Sequence, residues 1–217
     1  MRSLNKLLSV IMSIAVALAL LTGSIAGPIL IRPFYYAQIQ PLALESASGL
    51  SRDEIIQAYD EVLDYCIGAS DEFSAGVLPF SASGSAHFAD CRVLFILDLW
   101  LLAGSVIVIV LLKLYDKRRR LPRLGRHGAP FWGAAGMAAL LVLIGIAAAT
   151  DFDRAFTVFH SLFFHGKDNW VFNAATDPVI LIMPEAFFRN CAILILAVLL
   201  VISAVIIILD KRKGYAK

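Results

Sequence analysis

Four stretches of this chain, about residues 7–26, 93–114, 131–150 and 190–209, are almost wholly apolar. At 1.5 Å of rise per residue, a helix of about twenty residues crosses a hydrocarbon core about 30 Å thick. The expected fold is therefore all-α, a bundle of four transmembrane helices. Composition agrees, because 59% of residues are hydrophobic and 17% charged, against roughly 45–50% and 25% in soluble domains. What remains is too short to bury a large core of its own. We expect one integral membrane domain over 1–217, with a small ordered extracytoplasmic cap drawn from 28–92 and 151–189.

Charge orients the bundle. Sorting the nineteen Lys and Arg by the segments between spans puts thirteen on one side with only Asp116 and Asp210, a net of +11. The other side holds six basic residues, Arg32, Arg52, Arg92, Arg154, Lys167 and Arg189, against fourteen carboxylates, a net of −8. Basic loops stay in the cytoplasm, so both termini and the loop 115–130 are expected inside. The run YDKRRRLPRLGRHG in that loop is explained by orientation alone, and no nucleic-acid partner is expected. The first apolar run has the basic start and small residues Ser24, Ala26 and Gly27 of a signal peptide, but its length favours a retained span.

Outside the spans, ILIRPFYYAQIQPL after Pro28 reads as an extended stretch along the headgroup region, interrupted by Pro33 and Pro41. Ser51 with Glu54 makes a capping box, and Ile55, Ile56, Tyr59, Val62, Leu63 and Cys66 recur at helical spacing, which predicts an amphipathic helix over 52–67. The acidic opposite face disfavours a membrane-surface role and favours packing on the bundle mouth. The second span is expected to begin early, near Ser85, so that His87, Asp90 and Cys91 lie in its first turns. Downstream, Phe156, Phe159, His160, Phe163 and Phe164 share one helical face, and Pro184 with Glu185 suits the first turn of the fourth span.

Common soluble-enzyme signatures, GxSxG, HExxH, a P-loop or a dinucleotide fingerprint, are absent from the sequence. Histidines and carboxylates remain. His87 sits near a helix start, whose dipole disfavours protonation, and His160 lies among phenylalanines, where burial also favours the neutral imidazole that can act as a base. The plainer alternative for each is a histidine bonded to a carbonyl within an aromatic cluster. His127 and His165 read as loop residues. Asp98 is a carboxylate inside a span, a functional candidate by position or else a partner of a neighbouring polar group. Glu185 and Arg189 are spaced for an i to i+4 ion pair, or to orient a histidine. Cys66, Cys91 and Cys191 form no metal motif; a bridge between Cys66 and Cys91 stays open. His87, Asp90, His160 and His165 lack diagnostic metal-ligand spacing, so no metal and no cofactor are expected.

Two segments then resemble a known family, the lipoprotein intramolecular transacylases, small integral membrane proteins of Gram-positive bacteria. AHFADCRVLF over 86–95 is similar to the family's His-x-x-Asp start of the second span. FHSLFF and DNWVFNAATDPVILIMPEAFF, between Phe159 and Phe188, place His160, Trp170, Asp177, Pro184 and Phe188 as in the family pattern. Cys91 stands where that pattern has an aliphatic residue, and His165 falls outside it. The resemblance implies an enzyme that moves the sn-2 acyl chain of a diacylglyceryl-cysteine lipoprotein to the α-amine of the same N-terminal cysteine. Aminolysis of an ester needs a base and an acid or oxyanion stabiliser, and the expectation is His87 as general base and His160 as acid or oxyanion stabiliser, or the reverse, without a covalent enzyme intermediate. Asp90, Glu185 and Arg189 would support them, and Phe159, Phe163, Phe164 and Trp170 would line the lipid pocket. The implied partners are diacylated lipoproteins and membrane lipid, the expected state is a monomer, and the expected place is the bacterial cytoplasmic membrane with the site on the extracytoplasmic face. Two rivals stay open: an outer-leaflet lipid hydrolase using the same histidines, and a non-catalytic lipid-binding scaffold.

Overall fold

The computed structural model describes residues 2–215, with side chains placed from 3 to 212. Of the basic residues used for orientation, Arg2 and Lys213 lie outside the described side chains and Lys217 outside the described residues. The described chain is all-helical, with no strand among the described residues and one isolated bridge between Leu124 and His127. Four of its helices are long and apolar enough to cross a membrane: α1 (Arg2–Leu30), α5 (Ala82–Arg119), α6 (Ala129–Thr150) and α9 (Glu185–Tyr215). Five shorter helices intervene: α2 (Pro33–Tyr36), α3 (Leu44–Ser48), α4 (Arg52–Cys66), α7 (Phe152–Phe163) and α8 (Val179–Ile182). The chain divides into two compact units.

One unit comprises residues 1–26, 98–146 and 194–217. Its centre is apolar, with Met12, Val16, Leu20, Leu112, Ala134 and Leu199 buried together, while Leu101, Ile107, Leu111, Leu143 and Val201 point outward. That outward apolar surface is what lipid requires. Small residues let α1 and α6 approach closely. A Cβ on Gly133 would collide with the carbonyl of Ser13, and Ser13 Oγ donates to the carbonyl of Ala129 at 2.8 Å. The basic loop is ordered at its end by Asp210, which accepts from Gly128 N at 2.9 Å and from His127 Nδ1 at 2.8 Å. His127, expected as a plain loop residue, is thus an anchor, and its ring stacks on Phe131 with centroids 3.7 Å apart. Asp98 is buried in this unit, and its Oδ2 has no hydrogen-bond partner among the described residues.

The other unit comprises residues 27–97 and 147–193. The stretch after Pro28 differs from the extended chain expected. Proline sets φ near the helical value and needs no N–H partner at a first turn, so Pro33 opens α2 instead of breaking structure. Phe34 N and Gln38 N then donate to the carbonyls of Ile31 and Tyr35 at 3.0 and 2.8 Å. Tyr35 does not lie in a headgroup layer. It is fully buried, stacked on Tyr59 at 3.6 Å, and its hydroxyl donates to the carbonyl of Ile182 at 2.7 Å. Helix α4 forms within a residue of its expected limits and carries the full capping box between Ser51 and Glu54. Its buried face, Ile55, Tyr59, Val62, Leu63 and Cys66, meets α8, with α3 alongside. The three cysteines are free thiols, so the bridge left open between Cys66 and Cys91 does not form.

Candidate active site

The two outer histidines meet. Helix α5 begins at Ala82, three residues earlier than expected, which places His87 in its second turn. Ser81 is the cap residue, its Oγ accepting from Gly84 N at 2.9 Å. His160 lies near the end of α7, whose start is capped by Asp151 accepting from Arg154 N at 3.0 Å. Both imidazoles are buried, at 6% and 8% exposure, with ring centroids 6.0 Å apart.

Aromatic rings enclose the pair. Phe164 and Phe172 stand edge-on to His87 at 4.8 and 5.4 Å. Phe156 and Trp170 flank His160 at 4.1 and 4.8 Å. The five residues expected to share one face of α7 divide: His160 and Phe164 turn inward, Phe156 is partly buried, and Phe159 and Phe163 are half exposed. The reason is helical geometry, because at 3.6 residues per turn Phe159 and Phe163 each lie about 100° around the axis from His160 and Phe164. Phe159 and Phe163 also pack on one another at 4.7 Å.

Hydrogen bonding determines the state of His160. Its Nδ1 lies 2.8 Å from the carbonyl of Phe156, one turn back. A carbonyl only accepts, so Nδ1 carries the proton and Nε2 of the neutral ring keeps its lone pair. Burial holds the His160 pKa below the ordinary histidine value, against the opposing pull of that carbonyl. His87 differs. Its Nδ1 is buried with no hydrogen-bond partner among the described residues, and its Nε2 is 3.4 Å from the thiol of Cys91. A buried orphan nitrogen costs about 1–3 kcal/mol, and groups of this kind in native proteins call for a specific explanation.

The remaining candidates are distributed unevenly. Asp90 does not bond a histidine; its two oxygens accept from Lys167 Nζ at 2.6 Å and Asn169 Nδ2 at 3.0 Å. This contact ties the loop after α7 to α5. Among the described residues, Glu185 and Arg189 form no salt bridge with each other, and no hydrogen bond ties either to a histidine. His165 is exposed in the loop. No group of three or more His, Cys, Asp or Glu able to hold a metal occurs among the described residues.

A second attachment had not been singled out from spacing. Asp177, 4% exposed, accepts from Ser81 N through Oδ1 at 2.7 Å and from the Thr176 hydroxyl through Oδ2 at 2.7 Å. Burial alone would raise this carboxyl, but those donors prevail and hold it below the usual aspartate value. Gly84 makes the approach possible: a Cβ there would collide with Oδ1 of Asp177 and stand 3.2 Å from the ring of Phe172. The latch thus carries Phe172 against His87. A glycine in the first turn of a long helix was the available sign, because glycine there is costly unless something needs the space.

This arrangement of two neutral imidazoles in an aromatic enclosure can pass a proton and donate a hydrogen bond with little water present. Comparison with solved structures places the chain beside the membrane integral lipoprotein intramolecular transacylase Lit from Bacillus cereus. The TM-score is 0.89 at 22% identity, covering 100% of this chain and 98% of that one. Two variant structures of the same enzyme, with one histidine replaced by arginine or by alanine, match with a TM-score of 0.81. Among curated protein sequences nothing matches. The sequence pattern of the family described as lipoprotein intramolecular transacylase Lit matches residues 10–188. The chain therefore belongs to the lipoprotein intramolecular transacylase family, enzymes of acyl transfer embedded in the membrane.

Proposed function

We propose that this protein moves the sn-2 acyl chain of a diacylglyceryl-cysteine lipoprotein to the α-amine of the same cysteine, leaving a lyso-form lipoprotein. The observation that carries the reading is the buried pair His87 and His160, 6.0 Å apart with an unshared imidazole nitrogen on each ring. Both reacting groups belong to one substrate molecule, so the enzyme has to hold amine and ester together and handle protons. The amine nitrogen attacks the ester carbonyl carbon. The N–C bond forms, the C–O bond to glycerol breaks, and the proton lost by nitrogen ends on the glycerol oxygen. One histidine takes and returns that proton while the other stabilises the oxyanion. The inward aromatic residues Phe164 and Trp170, with the half-exposed Phe159 and Phe163, receive the acyl chain, and Asp90, Glu185 and Arg189 support the site from its margin.

In this reading the protein is a monomer and a single domain in the bacterial cytoplasmic membrane. Its spans are 7–26, 93–114, 131–150 and 190–209, its termini are cytoplasmic, and the segments 28–92 and 151–189 form an extracytoplasmic cap holding the site. The charge asymmetry supports that orientation. His87 then lies on the part of α5 that precedes the span. Burial, followed by the neighbouring His160 and Lys167, lowers its pKa to about 4 against the opposing effect of Asp90. Both rings are therefore neutral at physiological pH.

Mass spectrometry of a lipoprotein N-terminal peptide, from a host lacking N-acylation, tests the reading. Expression of this protein is expected to convert the free-amine diacyl form into an N-acyl lyso form of identical total mass. Loss of one acyl chain would make it a hydrolase, and an unchanged peptide would favour a scaffold. His87→Asn and His160→Asn are each expected to lower the rate by about 10²-fold or more; wild-type output from either would remove that histidine from the mechanism.

A further inference from the structure

The contact between Cys91 and His87 is not used by the reaction as described so far, yet it bears on a buried imidazole nitrogen that has no partner among the described residues. Cys91 follows His87 by one helical turn, so its side chain lies beside the imidazole, with Sγ 3.4 Å from Nε2. Two arrangements fit that distance. Either the thiol donates to a lone pair on Nε2, or Nε2–H donates to sulfur. A thiol is weak both as donor and as acceptor, whereas a bare imidazole nitrogen is a strong acceptor. The first arrangement uses that acceptor, and it puts the imidazole proton on Nδ1.

Nδ1 is also the atom that is buried and without a partner among the described residues, in a residue that is 6% exposed and bordered by Phe88, Phe164 and Phe172. None of these rings offers an oxygen. A buried N–H without an acceptor is rarer than an undersatisfied carbonyl, and here it is positioned for an acceptor that arrives with substrate. His160 presents the complementary state, its proton held on Nδ1 by the Phe156 carbonyl and its Nε2 lone pair left free.

We propose that Cys91 is a positioning residue whose thiol fixes the Nδ1–H tautomer of His87, which makes His87 the hydrogen-bond donor to the ester carbonyl oxygen and leaves His160 as the base. This inference rests on the transacylase reading and divides the labour within it. In the balanced step, the amine nitrogen bonds to the carbonyl carbon and the carbonyl oxygen becomes an oxyanion that accepts from His87 Nδ1–H. The amine proton passes to His160 Nε2. Collapse of the intermediate breaks the bond to glycerol, and His160 Nε2 returns the proton to the glycerol oxygen. His87 ends as it began, so its role needs a fixed tautomer and not a change of charge.

The test combines nitrogen NMR with kinetics on the full-length protein in nanodiscs, using isotope-labelled histidine and a synthetic diacylglyceryl-cysteine peptide. The wild-type spectrum is expected to show His87 protonated on Nδ1 and bare on Nε2. Cys91→Val, which removes the donor at similar volume, is expected to give a mixture of tautomers. Its kcat should fall about threefold to tenfold, the size of one net hydrogen bond, with KM unchanged. Cys91→Ser, which keeps a donor, is expected to hold the wild-type tautomer and recover most of kcat. A wild-type His87 carrying its proton on Nε2 would overturn the proposal even if the valine variant failed to fold. So would a valine variant with unaltered tautomer and kcat. Absence of any acyl transfer by the wild-type protein would instead refute the transacylase reading, because the wild-type spectrum is read independently of turnover.

Discussion

At the scale of residues, the site depends on keeping two imidazoles neutral. Both have pKa values lowered mainly by burial, His87 to about 4, so each takes up its proton only below the ordinary histidine value of 6.5. The substrate amine, with an ordinary value near 7.7–8.0, is protonated over the same range. The logarithm of the transfer rate is therefore expected to fall with a slope of about one as pH drops through 6.5, where the amine alone is gaining protons. Loss of a histidine base would add a second unit of slope only as pH nears the depressed values. A slope of two already at pH 6 in purified enzyme would show that a histidine titrates normally. The candidacy of His87 and His160 was legible in the chain, because a helix start and an aromatic run are local signals. Their meeting was not, since 73 positions separate them and no periodicity links one helix to another.

At the scale of elements, α5 holds His87 in place only because the loop before α8 is fastened to its first turn. Gly84→Ala would push Asp177 and Phe172 away from that turn. Overpacking of this kind costs about 1–3 kcal/mol, so the melting temperature in detergent is expected to fall and the transfer rate to fall with it, as Phe172 leaves His87. Asp177→Ala removes the acceptor for Ser81 N and is expected to act in the same direction. Ser51→Ala provides the contrast. It breaks the capping box of α4 at a cost of about 1 kcal/mol, and is expected to lower thermal stability while leaving the rate per folded molecule unchanged. Helix α4 was readable because its cap and apolar face lie within sixteen consecutive residues, Ser51–Cys66. The helical turns from Pro33 onward were not, since the same prolines suit an extended chain or a first helical turn. Only the burial of Tyr35 against Tyr59 and Phe187 decides between them.

At the scale of the whole molecule, the proposed orientation makes a direct prediction. Single cysteines at the exposed positions Glu72 and Arg126, introduced by Glu72→Cys and Arg126→Cys, are expected to react oppositely with a membrane-impermeant thiol reagent on intact cells. Glu72→Cys should be labelled at once and Arg126→Cys only after permeabilisation; the reverse pattern would invert the topology. Of the native thiols Cys66 is buried, with its pKa pushed up to about 12 by that burial, while Cys91 and Cys191 are partly exposed, so labelling is read against the protein without the added cysteine. Number of spans, helical class and the expected orientation follow from the chain alone, because hydrophobic length and the sign of flanking charge are sums over neighbouring residues. The arrangement of the site was decided by tertiary structure. Which face of α7 turns inward, which carboxylate fastens the start of α5, and which nitrogen of each histidine is free depend on contacts between segments far apart in sequence, and a hydrogen bond is specified by position and angle that no local sum contains.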